Sequence, residues 1–215
     1  MTTSPFDQSR YQLRFDWGVA GLHRLAPADI VVVVDVLRFS STVSARVAAG
    51  GAVAHDESAH AVSVNGAAVA SAAHGSSAAG TDAVVVLGCL RNASAVAQAV
   101  LAEQTRRGER TSVNVIAAGE LDESGELRFA MEDLLGAGAV LGALEALGID
   151  HTSPEAAAAS ESFRGLRRAA RHLITASGSG QELLARELRD EALAAAEIDA
   201  DGVVPVLREE RWVAY

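Results

Sequence analysis

The chain has 215 residues, and its 28 Asp and Glu against 18 basic residues give a net charge of -10. All 18 basic residues are Arg, there is one Cys, and 49% of the positions are hydrophobic. These figures exclude a disordered chain and a general binder of nucleic acid or anionic membrane, which needs a basic field. They also exclude lysine chemistry of the Schiff-base or P-loop kind and a disulfide framework or Cys-based zinc site.

The N-terminal stretch MTTSPFDQSRYQ is polar and lacks the layout of a signal peptide. No apolar run approaches the roughly 20 residues of a membrane span. The expected location is the cytoplasm. Residues 11–17 alternate, with Leu13, Phe15 and Trp17 on one face, and predict an edge or half-buried strand. Residues 30–34 (IVVVV) form a β-branched run of the kind covered on both faces. A helix is predicted over 41–49, closed by Gly50 and Gly51, then a weak strand at 61–64, a turn at Asn65-Gly66 and an Ala-rich helix to about 73. Residues 74–80 (HGSSAAG) predict a loop. Strands follow at 83–87 and 112–117, helices at 92–107 and 131–147, and a turn-rich stretch lies at 121–127. From about residue 151 the chain is mainly helical, with Pro154 at a helix start and a break at 177–180 (SGSG). Apolar runs at 203–207 and 212–215 flank Arg-Glu-Glu-Arg and predict a terminal hairpin. No linker divides the chain, so a single domain over 1–215 is expected. Its class is α/β, a three-layer α/β/α arrangement with a mostly parallel or mixed sheet.

Four buried strands each run into a polar or Gly-rich knot. These hold Asp35, Arg38, Ser40, Ser41 and Thr42; then Asn65 and Gly66; then Arg91 and Asn92 after Gly88-Cys89; then Glu120 after Gly119. Ligands of open α/β sheets bind beyond the carboxyl ends of strands. Helix N-termini and guanidinium groups there suit an anion. Plainer roles compete: Asp35 and the three hydroxyls suit helix caps, Asn65-Gly66 a simple turn, and Cys89 a small buried side chain. Glu132 and Asp133 favour a helix start through the dipole; alternatively, one of them turns inward with Asp35 to hold Mg²⁺. Gly136, Gly138 and Gly142 imitate a nucleotide-binding pattern, but they lie inside a helical stretch and predict close helix packing. Arg164, Arg167, Arg168 and Arg171 predict a solvated face paired to acids such as Glu161. The six His have no metal-ligand spacing. Asp35-Val36-Leu37 lacks the second Asp of haloacid dehalogenase-type phosphatases, and there is no GxSxG elbow.

At these residues the sequence resembles the ComB family, the Mg²⁺-dependent 2-phosphosulfolactate phosphatases. The resemblance rests on VVVVDVLRFSSTVSARVAAGG (31–51), SVNGAA (63–68), VVVLGCLRNASAVA (84–97), VIAAGE (115–120) and RFAMEDLLGAGAVL (128–141), and continues more weakly through SGSGQEL (177–183) and DADGVVPVL (199–207). It implies hydrolysis of 2-phospho-3-sulfolactate to sulfolactate and phosphate, a step linked to coenzyme M synthesis. It also implies a three-layer α/β/α fold. Carried over by position, Asp35, Arg38 and Glu132 are the catalytic candidates. Ser40, Ser41, Thr42, Asn65, Gly66, Arg91, Asn92 and Glu120 are the substrate-binding candidates, and Asp35, Glu132 and Asp133 the Mg²⁺ ligands. Asp35 is either ligand or nucleophile, and the sequence does not choose among Glu120, Glu132 and Asp133. The sequence departs from the family between the first helix and Asn65, where about ten residues, 55–64, replace a longer Gly-rich loop. The expected partner is a small anionic phosphate ester, with no nucleic acid and no membrane. Small residues on Ala-rich helices allow a homodimer. A non-catalytic anion binder that lost activity with the loop is the alternative function.

Overall fold

A computed structural model describes residues 4–56, 64–78 and 83–215. Four strands form a parallel core in the order β1 (Leu13–Trp17), β5 (Val113–Ala117), β2 (Ile30–Val34), β4 (Val84–Gly88). The C-terminal hairpin β8 (Pro205–Arg208) and β9 (Arg211–Ala214) adds antiparallel to β4 and is followed by the short β3 (Val53–Ala54), which completes a 7-stranded mixed sheet. The hairpin turns on Glu209 and Glu210, both at positive φ, the backbone that two-residue hairpins require. A small ladder, β6 (Glu120–Leu121) with β7 (Leu127–Arg128), occupies the turn-rich stretch.

The sheet is buried on both faces, which explains the unbroken β-branched runs. Ile30, Val32 and Val34 point into one apolar cluster, and Val31 and Val33 into the other. On the first face lie α4 (Ala93–Arg107), α5 (Met131–Ala146), α6 (Pro154–Leu166), α7 (Ala170–Ala176) and α9 (Arg189–Ala195). On the second lie α1 (Gly18–Arg24), α2 (Phe39–Ala48) and α3 (Val64–Ala78). The fold is therefore three-layered α/β/α. Each of these fully covered strand side chains stabilises the fold by roughly 1.5–3 kcal/mol.

Several expectations need correction. The weak strand at 61–64 falls mostly outside the described residues, and Val64 opens α3. Asn65-Gly66 is not a turn but the first turn of that helix, and the loop expected at 74–80 is helical as far as Ala78. The Ala-rich run buries Ala67, Ala70 and Ala73 against the sheet, and this packing overrides the weak propensity of Gly and Ser that follow. The SGSG stretch does break the helix after α7. It then starts α8 (Gly178–Ala185), with the Ser177 hydroxyl accepting from the Gly180 amide. Sequence reading also missed α1 and β3. Arg164 pairs with Glu161, and with Glu145 at 3.3 Å, as a solvated Arg face should. Among the described residues no helix is long and apolar enough to cross a membrane.

The glycines of α5 serve packing. A Cβ on Gly138 would sit 2.2 Å from the Ala159 carbonyl of α6, and one on Gly136 2.5 Å from Val36, whereas one on Gly142 would meet Ser160 Oγ at an ordinary 3.4 Å. Gly138→Ala should therefore destabilise the protein by on the order of 1–3 kcal/mol, because backbone must move. Gly142→Ala should stay within about 1 kcal/mol of wild type, since helix propensity favours Ala. Urea unfolding midpoints of the two variants check the contrast.

Candidate active site

Strand β2 sends its chain to α2 on one face, while its neighbours β5 and β4 send theirs to α5 and α4 on the other. Both flanks of β2 are thus points where crossovers diverge, the places at which open α/β sheets leave crevices beyond their strand ends. The candidate residues divide between the two crevices.

The β2/β5 crevice is acidic. Asp35, Glu132 and Asp133 are only 4%, 3% and 3% exposed. Asp35 directly follows β2. Its Oδ1 accepts from the Phe39 amide at 3.1 Å and its Oδ2 from the Gly66 amide at 3.1 Å. The Ser40 hydroxyl donates to the Val33 carbonyl and approaches the Asp35 amide, while the Ser41 hydroxyl donates to the Val36 carbonyl. These two serines shape the β2–α2 turn from within. Asp133 spans the crevice: its Oδ1 accepts from the Val36 amide at 2.7 Å and its Oδ2 from the Gly119 amide at 2.9 Å. Both glycines are required. A Cβ on Gly66 would lie 2.5 Å from Asp35 Oδ2, and Gly119 holds φ +69° with Leu127 packed above it. Asn65-Gly66 therefore presses a helix start onto Asp35.

Beside the carboxylates, Glu120 joins two elements. Its Oε2 accepts from the Ser179 hydroxyl at 3.1 Å, and its Oε1 lies 3.4 Å from Asn65 Nδ2. Arg128 is the strand-register partner of Glu120 between β6 and β7, and its guanidinium lies near Gly178. Ser179 and Arg128 went unremarked as site residues in the sequence. Their signal was the SGSG stretch together with an Arg three residues before the Met of MEDLL.

The β2/β4 crevice is basic. Arg38 just before α2, Ser41, Thr42 and Arg46 of α2, and Arg91 after β4 face Glu191 and Ala194 of α9 across a cleft of about 380 Å³. Arg38 pairs with Glu191. Arg91 is committed elsewhere: Nε and Nη2 donate to Asp201 at 2.8 Å each, and Nη1 donates to Glu197 at 2.7 Å and to the Ala194 carbonyl at 2.6 Å. Its hydrogen bonds to Asp201 hold it charged, above the ordinary guanidinium range. Asn92 is fully buried, with Oδ1 accepting from the Cys89 amide and Nδ2 donating to the Leu87 and Val203 carbonyls. The structure thus brings Asp35, Asn65, Gly66, Glu120, Glu132 and Asp133 together. It places Arg38 and Thr42 in the neighbouring cleft, and gives Arg91 and Asn92 internal bonds that fix the β4 exit. Cys89 is buried and its thiol is pushed up to about 11, chiefly by desolvation, so it is held as the neutral thiol.

A family model of 2-phosphosulpholactate phosphatase matches residues 56–210, well over half of the chain. The chain belongs to that family. No curated protein matches the chain in a sequence comparison. The family match spans Asn65, Gly66, Glu120, Glu132, Asp133 and Ser179; Asp35 precedes it and is tied to the matched residues by the Gly66 amide.

Burial first, then Asp35 and Glu132, push the Asp133 carboxyl well above its ordinary range. Among the described residues, the hydrogen bonds to Asp35 and Asp133 come from backbone amides. Each Asp oxygen accepts an amide, and a carboxylate oxygen has two lone pairs. Among the described residues no three acidic, His or Cys side chains form a ready metal cage. Mg²⁺ needs no such cage, since it takes one or two carboxylates with waters and substrate phosphate. Asp35 and Asp133, with Glu132 beside them, are the groups that fit it.

Two outcomes are expected. An acid whose pKa is raised by folding binds more protons folded than unfolded, so it stabilises at low pH and loses that contribution as pH rises from about 4 through its folded pKa. Without divalent cations, stability should therefore decline over that range, and Asp133→Asn should flatten the slope; urea titrations at stepped pH read it. Arg91→Gln should lower the unfolding midpoint by an amount corresponding to about 3–5 kcal/mol, because it strands Asp201.

Proposed function

We propose that this chain is a Mg²⁺-dependent phosphatase acting on a small phosphate ester that carries a further acidic group, with 2-phospho-3-sulfolactate as the first ester to test. The observation that carries the reading is the buried trio Asp35, Glu132 and Asp133 at the β2/β5 crevice, in a member of a phosphatase family. Mg²⁺ bound there would offset charge on the transferring phosphoryl group and on the carboxylates.

The chain's own groups do the positioning. The amides of Phe39 and Gly66 fix both Asp35 oxygens, and those of Val36 and Gly119 fix Asp133, so the acidic wall is set before substrate arrives. A carboxylate whose oxygens both accept amide hydrogens is a poor nucleophile. This favours water as the attacking group and an orienting, charge-holding role for Asp35. In that reaction water adds to phosphorus, the ester P–O bond breaks, and the hydroxy acid leaves with a proton. Arg128 stands at the rim beside Glu120 and Ser179, where a cation can meet the phosphate.

Phosphate release from 2-phospho-3-sulfolactate and a panel of phosphomonoesters, with Mg²⁺ or EDTA, tests the reading. Mg²⁺-dependent release is expected, reduced on the order of 10²–10³-fold in Asp35→Asn. Gly66→Ala should be similarly impaired, because its methyl group would displace Asp35. No release from any ester by folded protein would overturn the proposal.

A further inference from the structure

We propose that the sheet edge beside β1 is a docking surface for a second copy of this chain, and that two copies pack there, side chain against side chain, about a twofold axis. The proposal stands apart from the phosphatase reading.

Exposed apolar side chains concentrate at this edge. Among the described residues six large ones are exposed, and five of them, Phe6, Leu121, Leu127, Phe129 and Leu166, belong to one arc. The ring of Trp17 lies within it, 5.4 Å from that of Phe129. Trp17 and Phe6 line a cleft of about 770 Å³, whose other wall is the α6 face of Glu155, Ala158, Ala159 and Ser162. Leu166 continues that face one helical turn on. At the other end Leu127 stands against Gly18 and Gly119 and is the register partner of Leu121 in the β6–β7 ladder. Successive strand residues alternate in direction, so Glu120 and Arg128 take the opposite face of that ladder. A ribbon of two residues per strand is marginal by itself, and its leucine face is left to solvent.

Area, shape and charge all point to a second copy as the occupant. The five side chains leave roughly 400–500 Å² of apolar surface open, taking about 150–200 Å² for each when fully exposed. A standard interface takes about 800 Å² from each partner, a little over half of it apolar. The same patch holds projections, with Phe6 73% and Phe129 58% exposed, and a cleft beside them. A twofold contact needs both on one surface. In a chain of net charge -10, copies repel unless the contact brings unlike charges together. The two ends of the arc supply them. The turn between Leu121 and Leu127 carries Asp122, Glu123 and Glu126, and the chain after Leu166 carries Arg167, Arg168 and Arg171. Among the described residues neither group forms an ion pair. Two arcs laid head to tail set acid over arginine at both ends. The mode of contact follows from the β1 backbone. The Gln8 side chain accepts from the Phe15 amide and donates to the Phe15 carbonyl, the Trp17 amide donates to Asp16, and Leu13 bonds to His151 and Ser153. The edge is therefore sealed against an added strand, and copies must meet through side chains.

Sedimentation velocity of the full chain over a concentration series reads the outcome. The wild type is expected at twice the monomer mass by about 20 µM. Phe129→Glu and Phe6→Glu are each expected to raise the dimer Kd about thirtyfold or more, as the loss of a buried aromatic anchor does. Phe6 lies outside the ladder, so its variant keeps the test readable if Phe129→Glu disturbs β7. Glu123→Arg and Arg168→Glu should each weaken the dimer, and the double variant should recover to within about threefold of wild type, a reversal that only contact between these two ends gives. A wild type still monomeric at about 100 µM would overturn the proposal and leave the face to a different partner. A dimer indifferent to both aromatic changes would overturn it by placing the interface elsewhere. A double variant no tighter than its single variants would overturn the head-to-tail arrangement.

Discussion

Three carboxylates are buried at the end of β2, and one of them, Asp133, feels the charge of the other two. Burying charge in a low-dielectric site is costly unless something else bears it. Here the backbone bears it, through the amides of Val36, Phe39, Gly66 and Gly119. That requirement dictates much of the surrounding structure. The β2–α2 turn must aim two amides, and α3 must begin against Asp35. β5 must end in a left-handed glycine. Gly66 and Gly119 are the positions where a side chain would break the arrangement.

The sheet's topology gives this constraint its place. Because β2 sits between two strands whose crossovers leave by the opposite face, it opens a crevice on either side. One crevice collects acids and the other arginines, so the two flanks of β2 differ in the charge that lines them. The first turn of α2 serves both. Its backbone faces Asp35 while the side chains of Thr42 and of the preceding Arg38 face the cleft.

Much of the layered fold was legible in the sequence because doubly covered strands must be apolar throughout, as IVVVV and AVVVL are. The terminal hairpin was legible too, from two apolar runs around a short charged turn. The start of α3 was not. Asn-Gly is a strong local turn signal, and only the approach of Asp35, 31 residues away, explains a glycine inside a helix start. Asp35 stood out because a carboxylate directly after a buried run must find partners. Arg91 misled for the opposite reason: an Arg at a strand end suits an anion, and its actual acids, Glu197 and Asp201, lie more than a hundred residues on. Ser179 was obscured because Ser-Gly-Ser-Gly reads as a break, and a break can also be a new helix N-terminus.

The bonds from Arg91 to residues 194–201 have a consequence for the order in which the protein is made. Strand β4 and its exit leave the ribosome well before α9 and Asp201 exist. Until those residues arrive, Arg91 has no acid to neutralise it, the hairpin that extends the sheet beyond β4 is missing, and one wall of the basic cleft is absent. Residues 189–214 therefore both finish the sheet and close the cleft. A nascent chain can build its acidic crevice early, yet a complete pair of crevices exists only once translation has reached the C-terminal third.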